Sequence, residues 1–111
     1  MKKIKLAETT KDPEILDELS RDGHYWVRYC VALNPNTKPE TLDVLSQDEN
    51  SSVRWYVAKN PNTTPETLDV LSRDENYHVC YRVAENPNCS ERAYKYIKGL
   101  ELLKSLSKVS T

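Results

Sequence analysis

The sequence predicts an all-α fold, a curved stack of three tandem two-helix units between imperfect end caps, and three observations predict it. The first is a 26-residue recurrence without gaps: Pro13, Pro39 and Pro65; Leu16, Leu42 and Leu68; Leu19, Leu45 and Leu71; Val27, Val53 and Val79; Val31, Val57 and Val83. A period in this range marks supersecondary units that bury their apolar faces against one another. The second is punctuation: every unit opens on a proline and closes on Asn-Pro-Asn, at Asn34, Asn60 and Asn86. The third is helical spacing of the apolar positions, three or four residues apart on one face.

The elements follow in chain order. Residues 1–10 are read as an N-terminal cap, with Ile4 to Thr10 a degenerate half-unit. Repeats then span 11–37, 38–63 and 64–89. The first helix of each opens near its proline, where a ring-locked φ suits the first turn and the missing N–H costs nothing. Thr37 with Glu40 and Thr63 with Glu66 have capping-box spacing, while Asp12 and Thr64 are competing caps. A polar Ser-x-Asp turn separates the two helices. The second helix starts at about Tyr25, Ser51 or Tyr77, with Asn50 and Asn76 as N-caps. Val27 and Val31 and their equivalents face the interior, and Ala32 allows close helix contact. The Asn before proline ends this helix, because a residue in that position is pushed out of the α region. Residues 90–111 are read as a C-terminal capping helix. Tyr94 falls at the Leu16 position and Ile97 at the Leu19 position, and the pattern continues through Leu100, Leu103 and Leu106. Gly99 is a candidate break in it, and no second helix of a fourth unit is visible.

A chain of 111 residues with 38% hydrophobic and 30% charged residues has a thin core, which suits units that bury area only against neighbours. The formal charge of −1 supplies no global field toward nucleic acid or anionic membrane. Three cysteines, Cys30, Cys80 and Cys89, fit no metal-ligand spacing and read as reduced thiols. The first residues carry charge but no apolar run of signal-peptide length, and no stretch is long enough to cross a bilayer. A soluble, cytoplasmic protein is expected.

The run Lys38-Pro39-Glu40-Thr41-Leu42-Asp43-Val44-Leu45, followed by Val53-Arg54-Trp55-Tyr56-Val57-Ala58-Lys59-Asn60-Pro61-Asn62, resembles the leucine-rich repeat variant family and, more distantly, HEAT repeats. The likeness covers about residues 11–90. It implies a right-handed α-solenoid in which α and 3₁₀ helices alternate, so that the leucine-bearing helix is partly 3₁₀. Some relatives carry an iron–sulfur segment before the repeats; no cysteine precedes Cys30, so no such cofactor is implied. The family transfers no enzymatic activity.

Two polar ladders are expected to be architectural. Asp22, Asp48 and Asp74 each precede position 28, 54 or 80, occupied by Arg28, Arg54 and Cys80. If each arginine reaches the aspartate of the next unit, Cys80 faces Leu100, so arginine and acid disappear together. Pairs Arg28–Asp48 and Arg54–Asp74 are therefore predicted, with a binding role for these arginines as the lesser reading. The Asn34, Asn60 and Asn86 series is expected to close helices, since asparagine tolerates the left-handed region.

The aromatic residues are the functional lead. Seven Tyr, two Trp and no Phe mean that every ring carries a polar handle, which suits half-exposed surfaces and interfaces. Five of them, Tyr25, Tyr29, Trp55, Tyr77 and Tyr81, share a helical face roughly 160–200° from the valines. They either bind a partner or seal gaps between units along arginine stems. The candidate binding residues are these five with Arg28 and Arg54, in a non-catalytic module or scaffold that recognises a protein partner. A nucleic-acid face, with Arg28, Arg54 and Arg82 on phosphates, is the weaker alternative because Asp and Glu are interspersed along the chain. Homo-oligomerisation through the segment Leu100 to Leu106 is another. His24 and His78 stand at non-equivalent positions with no nucleophile at diagnostic spacing, and Gly23 and Gly99 make no phosphate loop. No catalytic residue, metal site, cofactor or membrane contact is expected.

Overall fold

The computed structural model describes residues 2–109, with side chains through residue 107, and every element in that span is helical. A short helix α1 (Lys2–Thr9) precedes three helix pairs: α2 (Pro13–Leu19) with α3 (Tyr25–Leu33), α4 (Pro39–Leu45) with α5 (Ser51–Lys59), and α6 (Pro65–Leu71) with α7 (Tyr77–Val83). A long helix α8 (Glu91–Val109) closes the described chain. The capping helix expected over 90–111 thus exists, with Ser110 and Thr111 outside the described residues, as is Met1.

The helix starts obey local chemistry. Pro13, Pro39 and Pro65 occupy the first turn of α2, α4 and α6. Asp12 accepts from the Glu14 N–H and Thr64 from the Thr67 N–H, while Lys38 makes no side-chain cap. Thr37 and Thr63 do not cap anything. Both are fully buried, and their hydroxyls donate to the Val31 and Val57 carbonyls at 2.6 Å. Capping-box spacing was present by coincidence; these threonines satisfy carbonyls at the end of the preceding helix. Asn50 and Asn76 cap α5 and α7 as expected, each accepting two backbone N–H groups.

The leucine-bearing helices are α-helical, which corrects the expected 3₁₀ alternation. Three-residue bonds lie at their ends, as in Thr41 N–H to Lys38 at the start of α4 and Arg21 N–H to Glu18 and Asp22 N–H to Leu19 in the turn after α2. Gly99 does not break α8. Nothing lies within 4 Å of a Cβ placed there, so the position demands little, and a glycine in a helix interior costs only about 1 kcal/mol.

The valine-bearing helices pack side by side, α3 against α1 and α5, and α5 against α7. Each leucine-bearing helix packs against the second helix of its own pair. Val27, Val31, Val53, Val57, Val79 and Val83 are buried with Leu16, Leu42 and Leu68, and each such side chain contributes about 2 kcal/mol. In α8, Ile97 is buried, as its register required. Tyr94 is exposed instead, and the small Ala93 takes the inward position. Thr41 and Thr67 are buried one residue before Leu42 and Leu68, so Ala93 continues their row.

Two ladders join successive units. Arg28 Nε donates to Asp48 Oδ2 at 2.7 Å and its Nη2 to Oδ1 at 3.2 Å; Arg54 engages Asp74 in the same way at 2.8 and 3.2 Å. The register is the expected one. Arg28 touches Asp22 only through a backbone carbonyl. The asparagines form the second ladder. Asn60 Nδ2 donates to Ala32 and Asn34 carbonyls, Asn86 Nδ2 to Ala58 and Asn60 carbonyls, and Asn34 Nδ2 to those of Ala7 and Thr10. Asn34 and Asn60 sit at φ near −68° and −67°, and among the described residues only φ below zero occurs, so left-handed tolerance is not their purpose. Ala7 of α1 and Thr10 just after it supply the carbonyls that a preceding unit would, and Lys3 pairs with Asp22 at 2.9 Å where a preceding arginine would stand.

Candidate functional site

The outward positions of the valine-bearing helices carry a row of rings, in contact from Tyr25 to Trp55, with a separate Tyr77–Tyr81 pair beyond. Tyr25 meets Trp26 edge-on at 5.7 Å and Tyr29 at 6.4 Å between centroids. Tyr29 stacks on Tyr56 across the α3–α5 junction at 5.3 Å and 18°, and Tyr56 meets Trp55 edge-on at 5.1 Å. On α7, Tyr77 stacks on Tyr81 at 5.8 Å. Such pairs add about 1 kcal/mol each beyond the area they bury.

The row has an inner and an outer half, so it seals and presents at once. Tyr29, Trp55, Tyr56 and Tyr81 are half-buried against the core, whereas Tyr25, Trp26 and Tyr77 are 40, 48 and 57% exposed. Burial pushes the Tyr29 and Tyr81 phenols above their usual range. All five aromatic residues expected from the sequence belong to this face. Trp26 and Tyr56 belong to it too and escaped the 26-residue comparison, because their equivalents are Ser52 and His78, and Cys30 and Arg82. Adjacency to Tyr25 and Trp55 carries no signal for them, because neighbouring residues on a helix point about 100° apart.

Arg28 and Arg54 lie beside the row but are engaged elsewhere. Their guanidiniums are 12 and 11% exposed, paired with carboxylates that are 7 and 8% exposed. Hydrogen bonds to Asp48 and Asp74 raise both arginines above their ordinary range. The cations that address the rings are others. Arg82 lies 5.6 Å and Lys59 5.7 Å from the centre of Trp55, and Lys104 reaches back from α8 to within 4.7 Å of Tyr77 and 6.0 Å of Tyr81. Arg82 also pairs with Glu85 at 2.8 Å. Trp55, Lys59, His78, Tyr81, Arg82 and Glu85 line one open groove between α5 and α7.

Charge is interspersed along the chain but sorted in space. Helices α2, α4 and α6 carry Glu14, Asp17, Glu18, Glu40, Asp43, Glu66 and Asp69 and no lysine or arginine. Helices α3, α5 and α7 carry Arg28, Arg54, Lys59 and Arg82 and no acid. Part of the acidic side is architectural: Asp17 and Asp43 accept from the Thr41 and Thr67 hydroxyls of the next unit, and the first of these bonds holds the Asp17 carboxyl below its usual range.

Burial pushes the thiols of Cys30, Cys80 and Cys89 up, which keeps them protonated and slow to react. Cys80, standing where the arginine ladder ends, donates to the Ser72 carbonyl. Both histidines are exposed, and among the described residues no three of His, Cys, Asp and Glu converge on a metal position. No described helix is long and apolar enough to cross a membrane. No protein-family model, curated protein or solved structure matches the chain.

Proposed function

We propose that the chain is a non-catalytic binding module, a right-handed solenoid of the leucine-rich repeat variant kind whose valine-helix face captures a protein partner in the cytoplasm. The observation that carries this reading is the ring row of Tyr25, Trp26, Tyr29, Tyr56 and Trp55, extended by Tyr77 and Tyr81 and overlaid by Arg82, Lys59 and Lys104. Tyrosine, tryptophan and arginine are the residue types that concentrate binding energy at interfaces. Rigid rings also lose little side-chain freedom on contact.

Diversification supports the same face. Helices α4 and α6 have the identical sequence PETLDVL, whereas α5 and α7 share only Val53/Val79 and Val57/Val83 in register. Outward positions there run Tyr25, Ser51, Tyr77 and Trp26, Ser52, His78. A surface that only had to be soluble would have no reason to differ more on one side than on the other.

Affinity capture from the native host with wild type and Trp55→Ala tests the reading. The wild type enriches a defined partner, and the variant loses it while keeping its helical circular dichroism. Equal capture by both proteins refutes the aromatic face as the site.

A further inference from the structure

Resting on that proposed function, we propose that the groove between α5 and α7, with Lys104 of α8 beside it, takes an extended acidic segment of the partner, its carboxylates meeting Lys59, Arg82 and Lys104 while an apolar side chain seats on Trp55 and Tyr81.

Three cations from three different helices converge on these rings. Lys59 and Arg82 stand in the last turns of α5 and α7, where exposed carbonyls carry partial negative charge, and that position alone gives each a structural role. Lys104 has no such role. It comes from the interior of α8, is exposed, and still lies over Tyr77 and Tyr81. Glu85 neutralises Arg82, so the groove itself keeps Lys59 as its net positive group, and Lys104 adds a second from the adjoining opening that it lines with Tyr81, Glu101 and Ser105, where Glu101 is paired to Lys98 at 3.4 Å. The neighbouring α3 end of the row offers only Arg28, whose charge is met by Asp48.

Dimensions set the size of the occupant. A nine-residue helix such as α5 is about 13 Å long, which matches about four residues of extended chain. Aromatic surface beside a few cations fits a short peptide with one apolar anchor and flanking acids. A nucleic-acid strand needs a longer basic track than two net cations provide. The acidic helices α2, α4 and α6 add long-range repulsion toward a polyanion that outgrows the groove.

The test uses the full chain and a fluorescein-labelled peptide of glutamates around one central leucine, read by fluorescence anisotropy. Binding is expected for the wild type. It should weaken about tenfold in the double variant Lys59→Glu, Lys104→Glu, and weaken also when salt rises from about 50 to about 500 mM. Both substituted side chains are exposed, so circular dichroism should stay that of the wild type. A lysine peptide of the same pattern and a thymidine oligonucleotide should fail to displace the acidic one. A dissociation constant above about 1 mM for the wild type, equal binding by the double variant, or displacement by the oligonucleotide overturns the acidic assignment. These failures are separable from failure of the aromatic face, which shows instead as unchanged partner capture by Trp55→Ala.

Discussion

The leucine-bearing and valine-bearing helices come from one repeat and meet at one interior, yet their outer sides have little in common. The first set is acidic, carries no ring and no cation, and is identical in two of its three copies. The second is aromatic and basic, carries no acid, and differs in every copy. Inward positions are alike on both sides, because valines, leucines and threonines answer to the same neighbours in each unit. The difference is that the polar joints of this molecule and its most exposed rings are carried by separate residues, although Tyr29 and Tyr56 stack across one junction. A side chain that holds two units together is constrained by the geometry between them. One that faces water is constrained only by what it meets there.

That separation predicts how substitutions should sort. The largest effect is expected at a joint: Asn60→Ala strands the buried carbonyl of Ala32 and the N–H of Asn62, and leaves the Asn34 carbonyl only the Thr37 N–H. A loss of about 4 kcal/mol is expected in urea unfolding, since each stranded buried group costs about 1–3 kcal/mol. Arg54→Ala should come next, at about 3 kcal/mol, because the nearly buried Asp74 carboxylate keeps its charge without its partner. A loss of under 1 kcal/mol at either site would show that the joints are not where the stability lies. The smallest effect belongs to Val44→Ser with Val70→Ser, side chains 68 and 55% exposed on the acidic side. Unfolding should shift by less than about 0.5 kcal/mol, and partner capture should match the wild type. Lost capture there would move the working surface to the other set of helices.

Much of the architecture was legible from spacing alone. Prolines marked the helix starts, and the coincident loss of arginine at Cys80 and of acid at Leu100 fixed the direction of the Arg28–Asp48 and Arg54–Asp74 pairs. What escaped depends on relations the repeat does not encode. Thr37 and Thr63 look like caps in one dimension and are hydroxyl donors to buried carbonyls in three. Lys104 could not be placed, because the path of α8 beyond Ile97 follows no 26-residue equivalent. Tyr56 was hidden by a position occupied by Cys30 and Arg82 in the neighbouring units. Likewise, acids and bases alternate along the chain, and only helix assignment separates the acids of α2, α4 and α6 from the bases of α3, α5 and α7.

The asparagine ladder has a consequence for how such a chain can change. Each amide grips main-chain oxygens of the unit before it, Ala32 and Asn34 for Asn60, Ala58 and Asn60 for Asn86, and never a side chain. The coupling is therefore indifferent to amino-acid identity on the gripped side, as its acceptance of Ala7 in α1 and Thr10 just beyond it demonstrates. A copy could be duplicated, or its outer surface rewritten, with the hinge-free fastening between modules left as it was.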